Sequence, residues 1–294
     1  MNDKKQIAIG IGEILWDILP DGKVLGGAPT NFAYHISQFG YNGQVVSAIG
    51  NDHLGEEILQ QLKSKNLGFN IQQNDFQTGI VNVTIDKKGI PQYEIRENVA
   101  WDHIEFTPET EIIARNTTVV CFGTLAQRSL ISRNTILRFM DLLPTEALRV
   151  FDINLRQHYF NKALIENSLH KCNIFKINDE EIEIVAEMFT IKKISEIDIC
   201  KQLLKKYSLD ILILTKGTAG SYIITQSEIS FLPTPKVKVV DTVGAGDAFT
   251  AAFVATFLKT KNIFTAHEKA VQVSAYVCTQ SGATPTFPNE IIAL

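Results

Sequence analysis

Short apolar runs of strand length alternate with stretches whose apolar residues recur at helical spacing, and this alternation constrains the fold more than any other feature. Ile7–Ile11, Gln44–Ile49, Val119–Phe122, Arg149–Ile153, Ile174–Ile177 and Ile211–Leu214 read as buried strands. Phe32–Phe39, Leu54–Lys65, Ser132–Leu143, the region around Leu164–Leu169 and the segment ending at Met188 read as the helices between them. Such a chain is α/β. The rhythm breaks once. Thr78–Ile85 and Tyr93–Arg96 flank the polar turn Asp86-Lys87-Lys88-Gly89 and read as a hairpin, which lies outside the alternating pattern and suits a small separate sheet. Placed beside a cleft, that sheet works as a lid. Arg96, Asn98, Trp101 and Asp102 follow it, four side chains able to touch a ligand. Tyr222–Thr225 and Ile229–Leu232 look antiparallel and form a sheet edge.

The 294 residues accommodate one large domain with an appendage. A net charge of -4 and no long Lys/Arg run argue against nucleic acid or an anionic membrane as the main partner, and favour a small ligand. The four cysteines, Cys121, Cys172, Cys200 and Cys278, form no Cys-x-x-Cys pair, so neither zinc nor a disulfide framework is indicated. They read as buried thiols of a reducing compartment. With no signal-peptide pattern and no apolar run near 18 residues, the expected location is the cytoplasm.

The chemistry concentrates at Asp241-Thr242-Val243-Gly244-Ala245-Gly246-Asp247. Val237, Val239 and Val240 read as a short buried strand before it, and Phe249, Phe253 and Phe257 mark one face of a helix after it. The free N–H groups and dipole of a helix start attract anions, phosphate above all. Asp247 there is either an N-cap or a reactive carboxylate. Gly26-Gly27-Ala28-Pro29-Thr30-Asn31 is a second glycine turn feeding a helix, where Asn31 suits a sugar hydroxyl and Thr30 or Asn31 equally suits a cap. Asp17 is a charge inside the apolar run Ile14–Leu19, either solvent-facing on an edge or an acceptor for substrate hydroxyls. Asp152-Ile153-Asn154-Leu155-Arg156 ends a buried strand, where ligands gather in open α/β sheets. Asn178 and Glu181 open a helix, either as acids complementing its dipole or as holders of water around Mg²⁺. Gly10-Ile11-Gly12 fails as a dinucleotide fingerprint because Leu15 stands where the third glycine belongs. Neither a P-loop nor the His-Arg-Asp set of protein kinases occurs, so a kinase built from these parts must bind nucleotide another way.

The Asp241–Asp247 segment resembles the C-terminal signature of the PfkB, or ribokinase-like, carbohydrate kinases; Gly26–Asn31 resembles the N-terminal one, and Asn178-x-x-Glu181 the magnesium and phosphate motif. The likeness runs through the whole chain in the family's order. It implies a three-layer sandwich with a central mostly parallel sheet and a small β-sheet lid, taken here as one kinase domain over 1–294 with the lid inserted from about 12–25 and 78–104. It implies ATP:sugar phosphotransfer with Mg²⁺, Asp247 as base, and Gly244, Ala245 and Gly246 as anion hole. Asp17, Gly27 and Asn31 match sugar-binding positions, with Arg96 and Arg156 as further substrate contacts. Thr215, Gly217 and Gly220 fall with Asn178, Gly244 and Gly246 where the family holds nucleotide. Many members bind a monovalent cation such as K⁺ near Asp241 and the segment matching 281–284, and members often dimerise through the lid. Gly12-Glu13-x-x-x-Asp17 and Asp152-x-Asn154-x-Arg156 look more like fructokinases than ribokinases, so fructokinase leads, with 2-keto-3-deoxygluconate kinase, ribokinase, a nucleoside kinase and a non-catalytic sugar-binding regulator behind.

Overall fold

The computed structural model describes residues 6–20, 22–85, 91–192 and 195–293. The first half runs β1 (Ile7–Ile11), β2 (Leu15–Leu19), β3 (Gly22–Gly26), α1 (Ala28–Gln38), β4 (Asn42–Gly50), α2 (His53–Ser64), β5 (Gly68–Asn74), β6 (Gly79–Ile85) and β7 (Pro91–Ile95). It continues with α3 (Pro108–Arg115), β8 (Thr117–Phe122), α4 (Leu130–Asp141), β9 (Leu148–Asp152), α5 (Lys162–Leu169), β10 (Ile174–Asn178) and α6 (Asp179–Met188). Last come α7 (Glu196–Lys206), β11 (Ile211–Thr215), β12 (Ser221–Ile224), β13 (Ile229–Leu232), α8 (Ala245–Thr260), α9 (Ile263–Cys278) and α10 (Asn289–Ile292).

Among the described residues nine strands form one sheet in the order β13-β12-β11-β10-β9-β8-β1-β4-β5. It is parallel from β5 to β11, and β12 and β13 add an antiparallel edge. Side chains alternate across a strand, so each strand feeds two cores. Ile9, Ile11, Val120 and Phe122 pack with α4 to α7 on one face. Ala8, Val119 and Cys121 pack with α1, α8 and α9 on the other. Rings of Phe122, Phe151 and Phe175 stack across β8, β9 and β10, with centroids 5.1 and 5.5 Å apart. The three-layer sandwich expected from the sequence is therefore present.

β2, β3, β6 and β7 form a second, four-stranded sheet in the order β3-β2-β6-β7. β6 and β7 pair antiparallel, as the hairpin reading requires, while the turn Asp86-Lys87-Lys88-Gly89 lies outside the described residues. Asp17 pairs with Val81 and Val81 with Ile95, which puts these three in one row on one face. β3 and β5 escaped the sequence reading because glycines break the first and polar residues dominate the second.

The valine-rich stretch before Asp241 is a correction. Val237, Val239 and Val240 are 38%, 58% and 60% exposed and belong to no ladder. Pro233 and Pro235 lack the N–H that would continue the β13 pairing, and beyond them Val237 lines a groove instead. Trp101 and Asp102 are a second correction, being buried rather than presented to a ligand. The Arg128 guanidinium stacks on Trp101 at 4.0 Å and donates to both Asp102 carboxyl oxygens at 2.8 Å. Cys121, Cys172 and Cys200 are buried and all four cysteines are free. Among the described residues no helix is long and apolar enough to cross a membrane.

Candidate active site

The carboxyl ends of β1, β9, β10 and β11 point to one side of the main sheet, where Asp152, Lys176, Asn178 and Thr215 end or precede the ends of their strands. Helix α8 begins at Gly244, whose left-handed backbone (φ 77°) turns the chain into the helix. A Cβ on Gly244 would lie 2.5 Å from the Ala283 carbonyl oxygen, so only glycine fits. Because Gly244 is the N-cap, Asp247 lies three residues inside the first turn and is not a cap. Asp241 shapes the turn: one carboxyl oxygen accepts from the Val243 N–H and the other from the Gly282 N–H, at 3.0 and 3.1 Å.

Asp247 is half-buried. Its Oδ2 accepts a 2.8 Å hydrogen bond from Asn31 Nδ2. Asn31 is free to give it because α1 is capped by Gly27, leaving neither Thr30 nor Asn31 as a cap. Burial, reinforced by the nearby Asp152 charge, pushes the Asp247 carboxyl up to about 6; the Asn31 bond, Lys176 and Arg156 pull the other way. Beneath it, buried Lys176 donates to Asp152 Oδ1 and Oδ2 at 2.9 and 2.8 Å, and Thr250 Oγ1 donates to Oδ2 at 3.0 Å. Burial works against the Lys176 charge, but Asp152 outweighs it and holds the ammonium above its ordinary range. A Cβ on Gly246 would lie 3.4 Å from Lys176 Nζ, so this cation sits directly under the glycine turn. Lys176 was missed in the sequence, although a charge inside the buried run Ile174–Ile177 is the signal that drew attention to Asp17.

Asp17 is half-buried on the small sheet, facing the main body. Burial raises its carboxyl to about 6, and the Arg156 charge offsets part of that. Arg156 also bears on Glu13 and Asp247, so one exposed guanidinium is within electrostatic reach of three carboxyls. Gly27 adopts φ 109° against the Glu13 carbonyl, which a Cβ would approach to 2.4 Å. Arg96 is not joined to this group. It lies just past the end of β7, where its Nη1 donates to Gln77 Oε1 at 2.6 Å.

Asn178 and Glu181 form a capping box at the start of α6. The Glu181 oxygens accept from the Leu155 and Asn178 N–H groups at 2.8 and 3.0 Å. Burial raises the Glu181 carboxyl, with those N–H donors opposing. The helix-start reading of these residues is the one the capping box bears out. Among the described residues no three acidic, His or Cys groups cluster as direct metal ligands. Thr215 ends β11, and Gly217 and Gly220 shape the next turn. Thr234 Oγ1 donates to the Gly217 carbonyl at 2.6 Å, tying that turn to the chain bordering an open apolar groove of about 590 Å³. Pro233, Pro235, Val237, Val271, Ala275 and Tyr276 line it.

The site therefore combines a glycine turn at a helix N-terminus, a carboxylate with a raised pKa beside it, the polar side chains of Asp17, Asn31 and Arg156, and an apolar groove along the sheet edge. The family model for pfkB family carbohydrate kinases matches residues 21–290, and the chain belongs to that family. A protein named ATP-dependent 6-phosphofructokinase from Thermoanaerobacterium thermosaccharolyticum is 28% identical, over 98% of this chain and 92% of its own. The Salmonella typhimurium fructokinase is 26% identical over 84% of this chain and 82% of its own. The crystal structure of the Xylella fastidiosa fructokinase with bound ATP shares the fold, with a TM-score of 0.86 and 20% identity over 98% of both chains.

If Asp247 accepts a proton in the reaction, its raised pKa places the acid limb. The carboxylate is needed as the anion, so kcat/KM should be level above about pH 6 and fall roughly tenfold per unit below it. An unperturbed Asp would hold activity to about pH 4. Asp17 and Glu13 titrate nearby, so the limb's apparent pKa belongs to the cluster. A pH–rate profile with substrate below KM measures it.

Proposed function

We propose that this sugar kinase is an ATP-dependent fructokinase, transferring the γ-phosphoryl group of ATP to a fructose hydroxyl with Asp247 as general base. The observation that carries the mechanism is the Asn31–Asp247 hydrogen bond at the mouth of the Gly244–Gly246 turn. Asn31 holds one carboxyl oxygen, leaving the other to take the acceptor's proton as its oxygen attacks phosphorus. The free N–H groups of the α8 turn then face charge that grows on the transferred group, and Lys176 below Gly246 adds positive potential. Asp17, Gly27, Asn31 and Arg156 orient the sugar, and the small sheet acts as the lid that excludes water. The apolar groove suits the nucleotide base, with Thr215, Gly217 and Gly220 along its phosphates.

Asn178 and Glu181 would hold Mg²⁺ through water, and the ion would supply charge neutralisation for the transferred phosphoryl group. K⁺ beside Asp241 is a lesser element, because both Asp241 oxygens already hold backbone donors. A lid-mediated homodimer and a cytoplasmic location complete the reading. The choice of fructose rests on the Glu13, Asp17 and Asp152–Arg156 patterns and on relatives named fructokinase.

A coupled ADP-release assay tests the choice, with ATP and a panel of fructose, ribose, 2-keto-3-deoxygluconate, glucose, adenosine and fructose 6-phosphate. The last acceptor is included because of the Thermoanaerobacterium relative. Fructose should give the highest kcat/KM; a higher value for any other member reassigns the substrate. Silence on all of them, with sugar binding retained, would favour the regulator.

A further inference from the structure

Glu13 lies in the short link between β1 of the main sheet and β2 of the small one, and is 4% exposed. The Ala28 N–H, at the first residue of α1, helps stabilise its anion. Its Oε2 is enclosed and meets no donor among the described residues. Two more polar atoms in the same region share that condition: Asn31 Oδ1, on the side chain that holds Asp247, and Asn154 Nδ2, next to Arg156. Buried polar groups are nearly always paired, so the enclosed, unmatched Glu13 Oε2, beside unmatched atoms on the partners of Asp247 and Arg156, points to a polar group that the site is built to receive. The charges bearing on Glu13 are Arg156, which favours its anion, and Asp247, which opposes it.

We infer that Glu13 is a specificity-determining residue that binds one hydroxyl of the acceptor sugar, a hydroxyl other than the one Asp247 deprotonates. This rests on the sugar-kinase reading above and goes beyond it by assigning a group to Glu13. Burial pushes the carboxyl up to about 7, so near neutral pH it exists as both acid and anion and can donate to the hydroxyl or accept from it. Enclosure keeps bulk water from Oε2, so its partner arrives with the substrate.

The test pairs changes in the enzyme with changes in the substrate. Wild type, Glu13→Gln and Glu13→Ala are assayed with fructose and with each of its monodeoxy derivatives, and melting temperatures confirm folded variants. Glu13→Ala should lower kcat/KM for fructose on the order of 10- to 100-fold. Its KM for ATP should stay within about twofold of wild type. One monodeoxy fructose should be a poor substrate for wild type yet lose nothing further in Glu13→Ala, while Glu13→Gln keeps part of the discrimination. Additive losses for every derivative, or an unchanged kcat/KM in a folded Glu13→Ala, would overturn the assignment. Failure of the fructokinase reading looks different: wild type itself ignores fructose, and the comparison moves to deoxy derivatives of whichever panel sugar it phosphorylates.

Discussion

Asp247→Asn should lower kcat by on the order of 10²–10⁴-fold while leaving a folded protein that still binds fructose. The substitution keeps the shape and a partner for Asn31 but removes the proton acceptor. Stability gives an independent check with the opposite sign. The folded-state pKa of Asp247 is raised, so the contribution of this group is most favourable below the unfolded value near 4 and is lost as pH rises through about 6. At pH 8 the neutral amide avoids that loss, and the variant should melt no lower than wild type. Calorimetric titration with fructose and a melting curve at pH 8, run beside the kinetic assay, separate a lost base from a damaged fold.

Gly244→Ala should be nearly as harmful for another reason. The left-handed backbone at φ 77° strains any side chain, and the new Cβ would fall 2.5 Å from the Ala283 carbonyl. Strain of this kind costs about 1–3 kcal/mol, and the collision must shift the turn. Moving one N–H donor from a developing anion costs on the order of 10²–10³-fold in kcat. Both melting temperature and kcat should therefore drop. Gly246→Ala is the control: its backbone is not left-handed and its Cβ would meet only Lys176 Nζ at 3.4 Å. It should fold normally, and its kcat should fall less. Equal melting temperatures for Gly244→Ala and wild type would mean that the turn is looser than described.

The framework was legible because each buried strand repeats apolar residues over a length too short for a helix. Ile7–Ile11 and Ile211–Leu214 need no tertiary information to be read. The hairpin of the small sheet was legible from the break in rhythm. Val237–Val240 misled because apolar residues suit a buried strand and an exposed extended segment equally well, and only the missing N–H groups of Pro233 and Pro235 tell them apart. Asp247 was ambiguous for a related reason: cap and base both place an acid near a helix start. What separates them is a register of three residues, set by Gly244 as N-cap. Lys176 and Glu13 depended on distant partners, Asp152 in one case and the α1 N-terminus in the other. Local pattern cannot supply such partners. Trp101 and Asp102 read as ligand contacts because Arg128, which buries them, lies 26 or more residues away in the chain.

The most direct test of the account follows the label itself. Wild type and Asp247→Asn are each incubated with [γ-³²P]ATP, Mg²⁺ and fructose, and the products are separated. The account predicts labelled fructose monophosphate from wild type and almost none from the variant. Label appearing only as inorganic phosphate with wild type, or fructose phosphate forming at an undiminished rate in Asp247→Asn, would contradict it.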